Sequence, residues 1–149
     1  MRVRAYISGA LINAARLDDA RRLYERLAEA CASAGWSAYV PHQHADPVRD
    51  PQMPNTEVAR RDLAEVRAAD VLVAYVGEPS LGVGAEVAIA LSEGKRVLFV
   101  AESDRKVSRF LLGLGELYPS QSAVCRYTTV DEAAAWITAQ LTSQPSATP

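Results

Sequence analysis

Asp70-Val-Leu-Val-Ala-Tyr-Val-Gly-Glu-Pro-Ser-Leu-Gly-Val-Gly-Ala-Glu-Val-Ala-Ile-Ala-Leu91 holds a strand, a turn and a helix in succession. Val71 to Val76 is an unbroken apolar run, the pattern of a strand covered on both faces in a parallel sheet. Gly77-Glu78-Pro79 breaks it, Ser80 can cap a helix, and helical spacing restarts at about Gly82. Gly82 and Gly84 leave room for a ligand to approach a helix N-terminus, where free N–H groups favour an anion. Glu86 lies three residues after Val83 and four before Ala90, so it shares their inward face. A carboxylate on the sheet side of a helix, beside a glycine-rich turn, is a candidate site. Two plainer readings compete with it. Gly-x-Gly after a strand often only permits a tight turn, and an acid near a helix start interacts with the dipole without doing chemistry.

Outward from this stretch, strand and helix alternate. Residues 2–8 read as a first strand, ended by Gly9 and a loop to Arg16. Asp18 or Asp19 can cap the next helix, whose apolar face runs from Ala20 through Leu23, Tyr24, Leu27, Ala30 and Cys31 to Ala34, with Gly35 as its stop. Trp36 to Pro41 is a short second strand. Residues 42–56 carry His42, His44, Asp46, Pro47, Pro51 and Pro54 without apolar period, a long loop of the kind that is often functional. A helix follows from about Glu57 to Ala68. In it Val58, Asp62 and Val66 are four apart, which puts Asp62 on the apolar face, a costly place for an idle carboxylate. After the central stretch come a strand over Arg96–Ala101 and a helix capped by Ser103-Asp104 carrying Val107, Phe110 and Leu111. A loop over Gly113–Ser122 and a strand over Ala123–Tyr127 follow. Thr129-x-x-Glu132 is a capping box opening a last helix with Trp136, Ile137 and Leu141 on one side, and residues 142–149 read as a disordered polar tail. This order predicts one domain over residues 1–141: a three-layer α/β fold, flavodoxin-like or Rossmann-like, with a five-stranded parallel sheet in the order 2-1-3-4-5. Ligands of such sheets bind at the carboxyl ends of strands 1 and 3, where the Gly9 loop and the Ser80–Glu86 turn meet.

Composition narrows the partners. With 149 residues, 49% hydrophobic and 23% charged, the chain reads as an ordinary soluble domain. A net charge of -2 gives no reason to expect a nucleic-acid partner. No apolar run is long enough for a membrane, no signal-peptide pattern opens the chain, and Cys31 and Cys125 share no metal or redox spacing. The expected address is the cytoplasm, with the cysteines in the core.

Asp62, Glu86 and Tyr6, beside the anion-ready turn Ser80-Leu81-Gly82, form a constellation suited to a glycosidic bond. Such a bond is cleaved by two carboxylates, one at the anomeric carbon and one managing a proton or a hydroxyl. Nearness to a helix N-terminus is expected to keep Glu86 ionised, as a nucleophile requires.

Tyr6-Ile-Ser-Gly9, Arg61-Asp62-Leu63, Ala69-Asp70-Val71 and above all Glu78-Pro-Ser-Leu-Gly-Val-Gly-Ala-Glu86 resemble the nucleoside 2-deoxyribosyltransferase superfamily, and most of all its hydrolytic branch, the 2'-deoxynucleoside 5'-monophosphate N-glycosidases. The similarity runs from residue 2 to about residue 113 and includes the eight- and sixteen-residue steps Asp62–Asp70–Glu86. The resemblance implies a small nucleotide substrate and no cofactor or metal. Glu86 would attack the anomeric carbon to give a glycosyl-enzyme, Asp62 would orient the sugar and assist proton transfer, and Tyr6 would lie near C2' and favour deoxyribose. Ser80 and Gly82 would bind the 5'-phosphate. Ser108 matches a serine that reaches the phosphate from a neighbouring subunit, which implies a homodimer with shared sites. Ser8, Gly9 and Asn13 of the first loop, and His42 and His44 of the long loop, complete the candidate substrate-binding set. The Gly9 loop departs from the family by reading Gly-Ala-Leu-Ile-Asn where relatives carry more polar and basic residues, with Asn13 or Arg16 as candidates to compensate.

Other readings are weaker. His42-x-His44-x-Asp46 could place alternate residues on a metal, yet no further ligands cluster nearby, and packing against a base or a plain surface loop outweighs it. Gly82-x-Gly84 is a poor dinucleotide fingerprint, and Ser80 lacks a nucleophile elbow. The Pro-Gly-Gly signature of lysine-decarboxylase-like phosphoribohydrolases is absent. A base-exchanging deoxyribosyltransferase shares the same Glu. A non-catalytic nucleotide sensor would not need the desolvation cost of both carboxylates.

Overall fold

A computed structural model describes residues 2–11 and 16–143. Its elements are β1 (Arg4–Ser8), α1 (Leu17–Ser33), β2 (Ser37–Tyr39), α2 (Asn55–Ala68), β3 (Val71–Tyr75), α3 (Leu81–Ser92), β4 (Arg96–Glu102), α4 (Arg109–Leu117), β5 (Ser122–Tyr127) and α5 (Val130–Thr142), with one 3₁₀ turn at Pro41–Gln43. The five strands pair in parallel in the order β2-β1-β3-β4-β5, as the alternation of periods predicts.

Strand alternation sorts the side chains into two cores. Ala5, Ile7, Val71, Val73, Tyr75, Leu98 and Val100 face α1 and α5. Tyr6, Leu72, Ala74, Val76, Val97 and Phe99 face α3, Val66 of α2, and Leu111 and Leu114 of α4. β3 lies in the middle and is buried at every position, which is why its sequence is apolar without alternation. Val71, Leu72 and Val73 of this strand, all fully buried, contribute roughly 1.5–3 kcal/mol each. Asp70, just ahead of β3, accepts the Arg4 N–H at 2.9 Å and aligns the starts of β1 and β3. It therefore sits at the amino edge of the sheet, away from the carboxyl ends where a ligand would lie.

Several boundaries differ from expectation. Arg16 precedes α1, and Asp18 and Asp19 occupy its first turn, where their charge suits the helix dipole without capping it. Gly35 does end that helix region, with φ at +84°. The cap of α4 is Ser108, whose Oγ accepts the Leu111 N–H at 3.3 Å, and not Ser103-Asp104. Ser103 N–H is already taken by the Tyr127 carbonyl at 2.8 Å, so the chain leaving β4 stays attached to β5. Gly113–Leu117, expected as loop, is helical. Leu114 packs on the sheet there and Gly115 sits so close to Phe99 that a Cβ would meet its ring at 3.0 Å, packing that outweighs the low helix propensity of glycine. Thr142 belongs to α5 and Ser143 caps it, which corrects the expected boundary at residue 142, and the rest of the expected tail, residues 144–149, lies outside the described residues, as does Asn13. Cys31 is buried and Cys125 half-buried, both free. Among the described residues, no helix is long and apolar enough to cross a membrane.

Candidate active site

β1 turns Tyr6 and Ser8 towards the α2–α3 face, because they are two apart in a strand. The inward faces of α2 and α3 bring Asp62 and Glu86 to the same place, at the carboxyl ends of β1 and β3 where the strand order reverses. Four side-chain oxygens meet burial there without a well-formed protein hydrogen bond: Tyr6 Oη, Ser8 Oγ, Asp62 Oδ1 and Glu86 Oε2. Buried polar groups are almost always bonded, so four together mark a place reserved for something other than folding.

Burial pushes the Glu86 carboxyl up to about 7, and the charge of Asp62 adds to the rise, while the Tyr6 and Ser8 hydroxyls pull the other way by favouring the ionised form. The expectation that the helix N-terminus keeps Glu86 ionised is thereby corrected: Glu86 is one turn into α3, and desolvation dominates. Burial also raises the carboxyl of Asp62, opposed by Arg61. Burial and the two carboxylates hold the Tyr6 phenol far above its ordinary range, so it stays protonated.

Asp62 and Glu86 open into a cavity of about 750 Å³, a size that suits a small organic ligand. Gly9 and Leu11 form part of its wall, the segment from Ala45 to Met53 another, and the start of α3 a third. Ser80 Oγ takes the Val83 N–H at 3.3 Å, which leaves the Leu81 and Gly82 N–H groups of the first turn for an anion. A Cβ at Gly82 would meet nothing nearer than Ser80 Oγ at 3.8 Å, so the space before this glycine belongs to the cavity and not to packing. Gly9 differs. A Cβ there would fall 2.2 Å from the Tyr24 ring, whose hydroxyl donates to the Ala10 carbonyl at 2.7 Å. Ser108 lines the same cavity in its own chain; its Oγ accepts from the helix it caps, and its hydroxyl proton is free to donate.

The two histidines are placed elsewhere. His42 is buried beside Tyr24, with Nε2 on the Glu25 carboxylate at 2.9 Å, and does not line the cavity. His44 stacks on Tyr39 at 4.4 Å, and Tyr39 in turn on Tyr6 at 5.7 Å, so this histidine reaches the site only through an aromatic column. Asp46 does line the cavity, 1% exposed and ion-paired to Arg21 at 2.6 Å. Although burial opposes it, the N–H groups of Arg49 and Val48 and the Arg21 guanidinium hold its carboxyl below the usual range. His42, His44 and Asp46 thus point to three different partners and do not converge. Sequence reasoning missed Lys106, which lines the cavity beside Ser108, and Met53 and Val58, which give it an apolar wall. Nearness to Ser108 was the available signal for Lys106; for Met53, inside a loop without period, there was none.

Comparison with known proteins agrees with this geometry. The family model described as nucleoside 2-deoxyribosyltransferase matches residues 5–139. A protein of Thermofilum pendens provisionally named 2'-deoxynucleoside 5'-phosphate N-hydrolase 1 is 38% identical over 111 residues, 73% of this chain and 76% of that protein. The 5-hydroxymethyl-dUMP N-hydrolase of Mus musculus is 44% identical over 61 residues, 40% of this chain and 35% of the relative. Among solved structures, the Clostridium botulinum CMP N-glycosidase superposes with a TM-score of 0.69 at 17% identity, covering 92% of this chain and 98% of that one. At that identity the likeness is one of fold.

Proposed function

The chain belongs to the nucleoside 2-deoxyribosyltransferase family, and from that premise we propose that it is an enzyme hydrolysing the N-glycosidic bond of a nucleoside 5'-monophosphate to free base and sugar 5-phosphate. The observation that carries this reading is the pair Asp62 and Glu86 at the switch point, each with a buried oxygen that lacks a well-formed protein hydrogen bond, next to free N–H groups of α3. The names of the sequence relatives support hydrolysis of nucleotides as the reaction class.

In the proposed sequence the ionised Glu86 attacks C1' of the sugar. The C1'–N bond breaks, its electron pair leaves with the base, and the base takes a proton from Asp62. A water then attacks C1', gives its proton to Asp62, and releases the Glu86 carboxylate. Two carboxylates dividing these tasks is the retaining pattern of glycoside cleavage. Tyr6 Oη and Ser8 Oγ stabilise the ionised nucleophile, and the Tyr6 ring favours a deoxyribose. The 5'-phosphate lies at the Leu81 and Gly82 N–H groups with the Ser80 and Ser108 hydroxyls.

A homodimer and a cytoplasmic address remain part of the proposal. Exposed apolar side chains support the first: Phe110 at 72% and Leu117 at 75% lie on α4, and Leu81 at 96% stands at the cavity rim. Sedimentation equilibrium checks it, and a monomer at micromolar concentration rejects it.

The reaction is tested by incubating the protein with deoxy- and ribonucleoside 5'-monophosphates and the matching nucleosides, following free base by chromatography beside Glu86→Gln. Base release from a monophosphate, lost in the variant by about a thousandfold or more, is the expected result. Exchange only when a second base is added would assign a transferase instead, and binding without turnover a sensor.

A further inference from the structure

A dianionic phosphate entering this cavity meets mostly carboxylates. Asp62 and Glu86 each have a buried oxygen without a well-formed protein hydrogen bond, Asp50 lines the wall, and Glu78 stands 3.8 Å from Arg105. Among the described residues lining the cavity, the one cation is Lys106. The described part of the Gly9 loop presents Gly9 and Leu11 instead of a basic side chain, and Arg16 is 83% exposed and paired to Asp19 at 2.6 Å.

Lys106 is well placed for a charged ligand. It comes from the segment between β4 and α4, on the side of the cavity that also holds Ser108. Among the described residues it makes no hydrogen bond or ion pair, whereas Arg105 beside it reaches Glu78. The backbone leading to it is fixed. Arg126 of β5 donates to the carbonyls of Glu102 at 3.1 Å, Ser103 at 3.5 Å and Arg105, and Ser103 N–H is held by Tyr127. The result is a braced backbone carrying an exposed, uncommitted lysine on the same cavity that the N-terminus of α3 lines.

We propose that Lys106 is the specificity-determining cation of this enzyme: its ammonium pairs with the 5'-phosphate that the Leu81 and Gly82 N–H groups and the Ser108 hydroxyl also hold. The assignment rests on the reaction proposed above. Charge for the phosphate is then delivered by the strand-four loop and not by the loop after strand one. An ammonium there offsets the carboxylates the phosphate would otherwise face, and it acts on the ground state and the transition state alike, because the phosphate is remote from the bond that breaks.

Lys106→Gln and Lys106→Arg test it, each assayed with a monophosphate and with the matching nucleoside. The expected result for Lys106→Gln is a KM for the monophosphate raised about ten- to a hundredfold, with kcat within about threefold and nucleoside turnover unchanged. Lys106→Arg restores most of the affinity, and wild-type KM rises more steeply with salt than that of Lys106→Gln. An unchanged KM, or equal losses on nucleoside and monophosphate, overturns the proposal. Calorimetry with deoxyribose 5-phosphate separates this from a failure of the reaction itself. If no monophosphate is cleaved but the sugar phosphate binds, and binds about tenfold more weakly to Lys106→Gln, the cation is right and the reaction wrong. If the sugar phosphate binds neither protein, both fall.

Discussion

A carboxylate in the place of Glu86 destabilises the fold whenever it is ionised, so activity and stability oppose each other at this residue. Its carboxyl titrates near about 7 in the folded protein, above the ordinary glutamate value of 4.5, so the native state holds the proton more tightly than the unfolded chain. Stability therefore falls as pH rises between those two values, by about 3 kcal/mol as an upper figure. Glu86→Gln, which cannot ionise, is expected to match the wild type near pH 4 and to exceed it increasingly up to about pH 8, by urea unfolding at each pH. The same titration governs the reaction: kcat/KM is expected to rise with pH through about 7, as the nucleophile loses its proton. Tyr6→Phe removes a hydroxyl that favours the ionised form, so this limb should move to higher pH while the melting temperature hardly changes. Both carboxylates were legible in the sequence, because an acid in register with valines on a helix face stands out. The protonation of Glu86 was not, since the dipole argument carries no information about how deeply the side chain is covered. Lys106 was missed because a lysine in a polar loop has no period to violate.

At the scale of single elements, two glycines in one strand–turn–helix unit serve opposite ends. A Cβ at Gly77 would sit 2.4 Å from Glu102 Oε2 and 2.7 Å from the Tyr75 hydroxyl, two groups already bonded at 2.9 Å. Gly77→Ala is expected to cost about 1–3 kcal/mol in chemical denaturation. Gly82→Ala has open space before it and replaces a helical glycine, so the fold should hold or gain slightly while KM for the monophosphate rises. The contrast separates a glycine kept for packing from one kept for a ligand. The capping box of α5 was readable from Thr129 and Glu132 alone, and both of its hydrogen bonds form; Thr129→Ala should cost about 1 kcal/mol without touching catalysis. The start of α4 was not readable, because Ser103-Asp104 offers the same local signal as Ser108. What decides between them is Arg126 and Tyr127 of β5, residues distant in sequence that hold the chain leaving β4.

Taken whole, the molecule is one sheet with two cores, and we infer that residues 1–141 unfold as one domain, since the central strands β1, β3 and β4 contribute to both sides. A single calorimetric transition, with equal calorimetric and van't Hoff enthalpies, is the expected outcome, and two resolved transitions would reject it. The architecture was legible because the apolar run of β3 and the helical periods around it admit few other arrangements, and the site followed from topology. The contents of the cavity wall between Ala45 and Met53 were not legible, because no period constrains a loop and its position depends on the buried ion pair of Arg21 with Asp46. The division of the sheet into two faces also has an optical consequence. Trp36 and Trp136 both pack on the α1–α5 side, while Tyr6 and Tyr39 stack on the side of the cavity. Indole emission therefore watches the back of the protein, where Tyr24, Tyr75 and Tyr127 also lie, and among the phenols Tyr6 and Tyr39 watch the front. A nucleotide that fills the cavity should perturb the ultraviolet difference spectrum through Tyr6 and Tyr39 and leave the tryptophan emission maximum where it was, giving the chain an intrinsic, label-free gauge of occupancy.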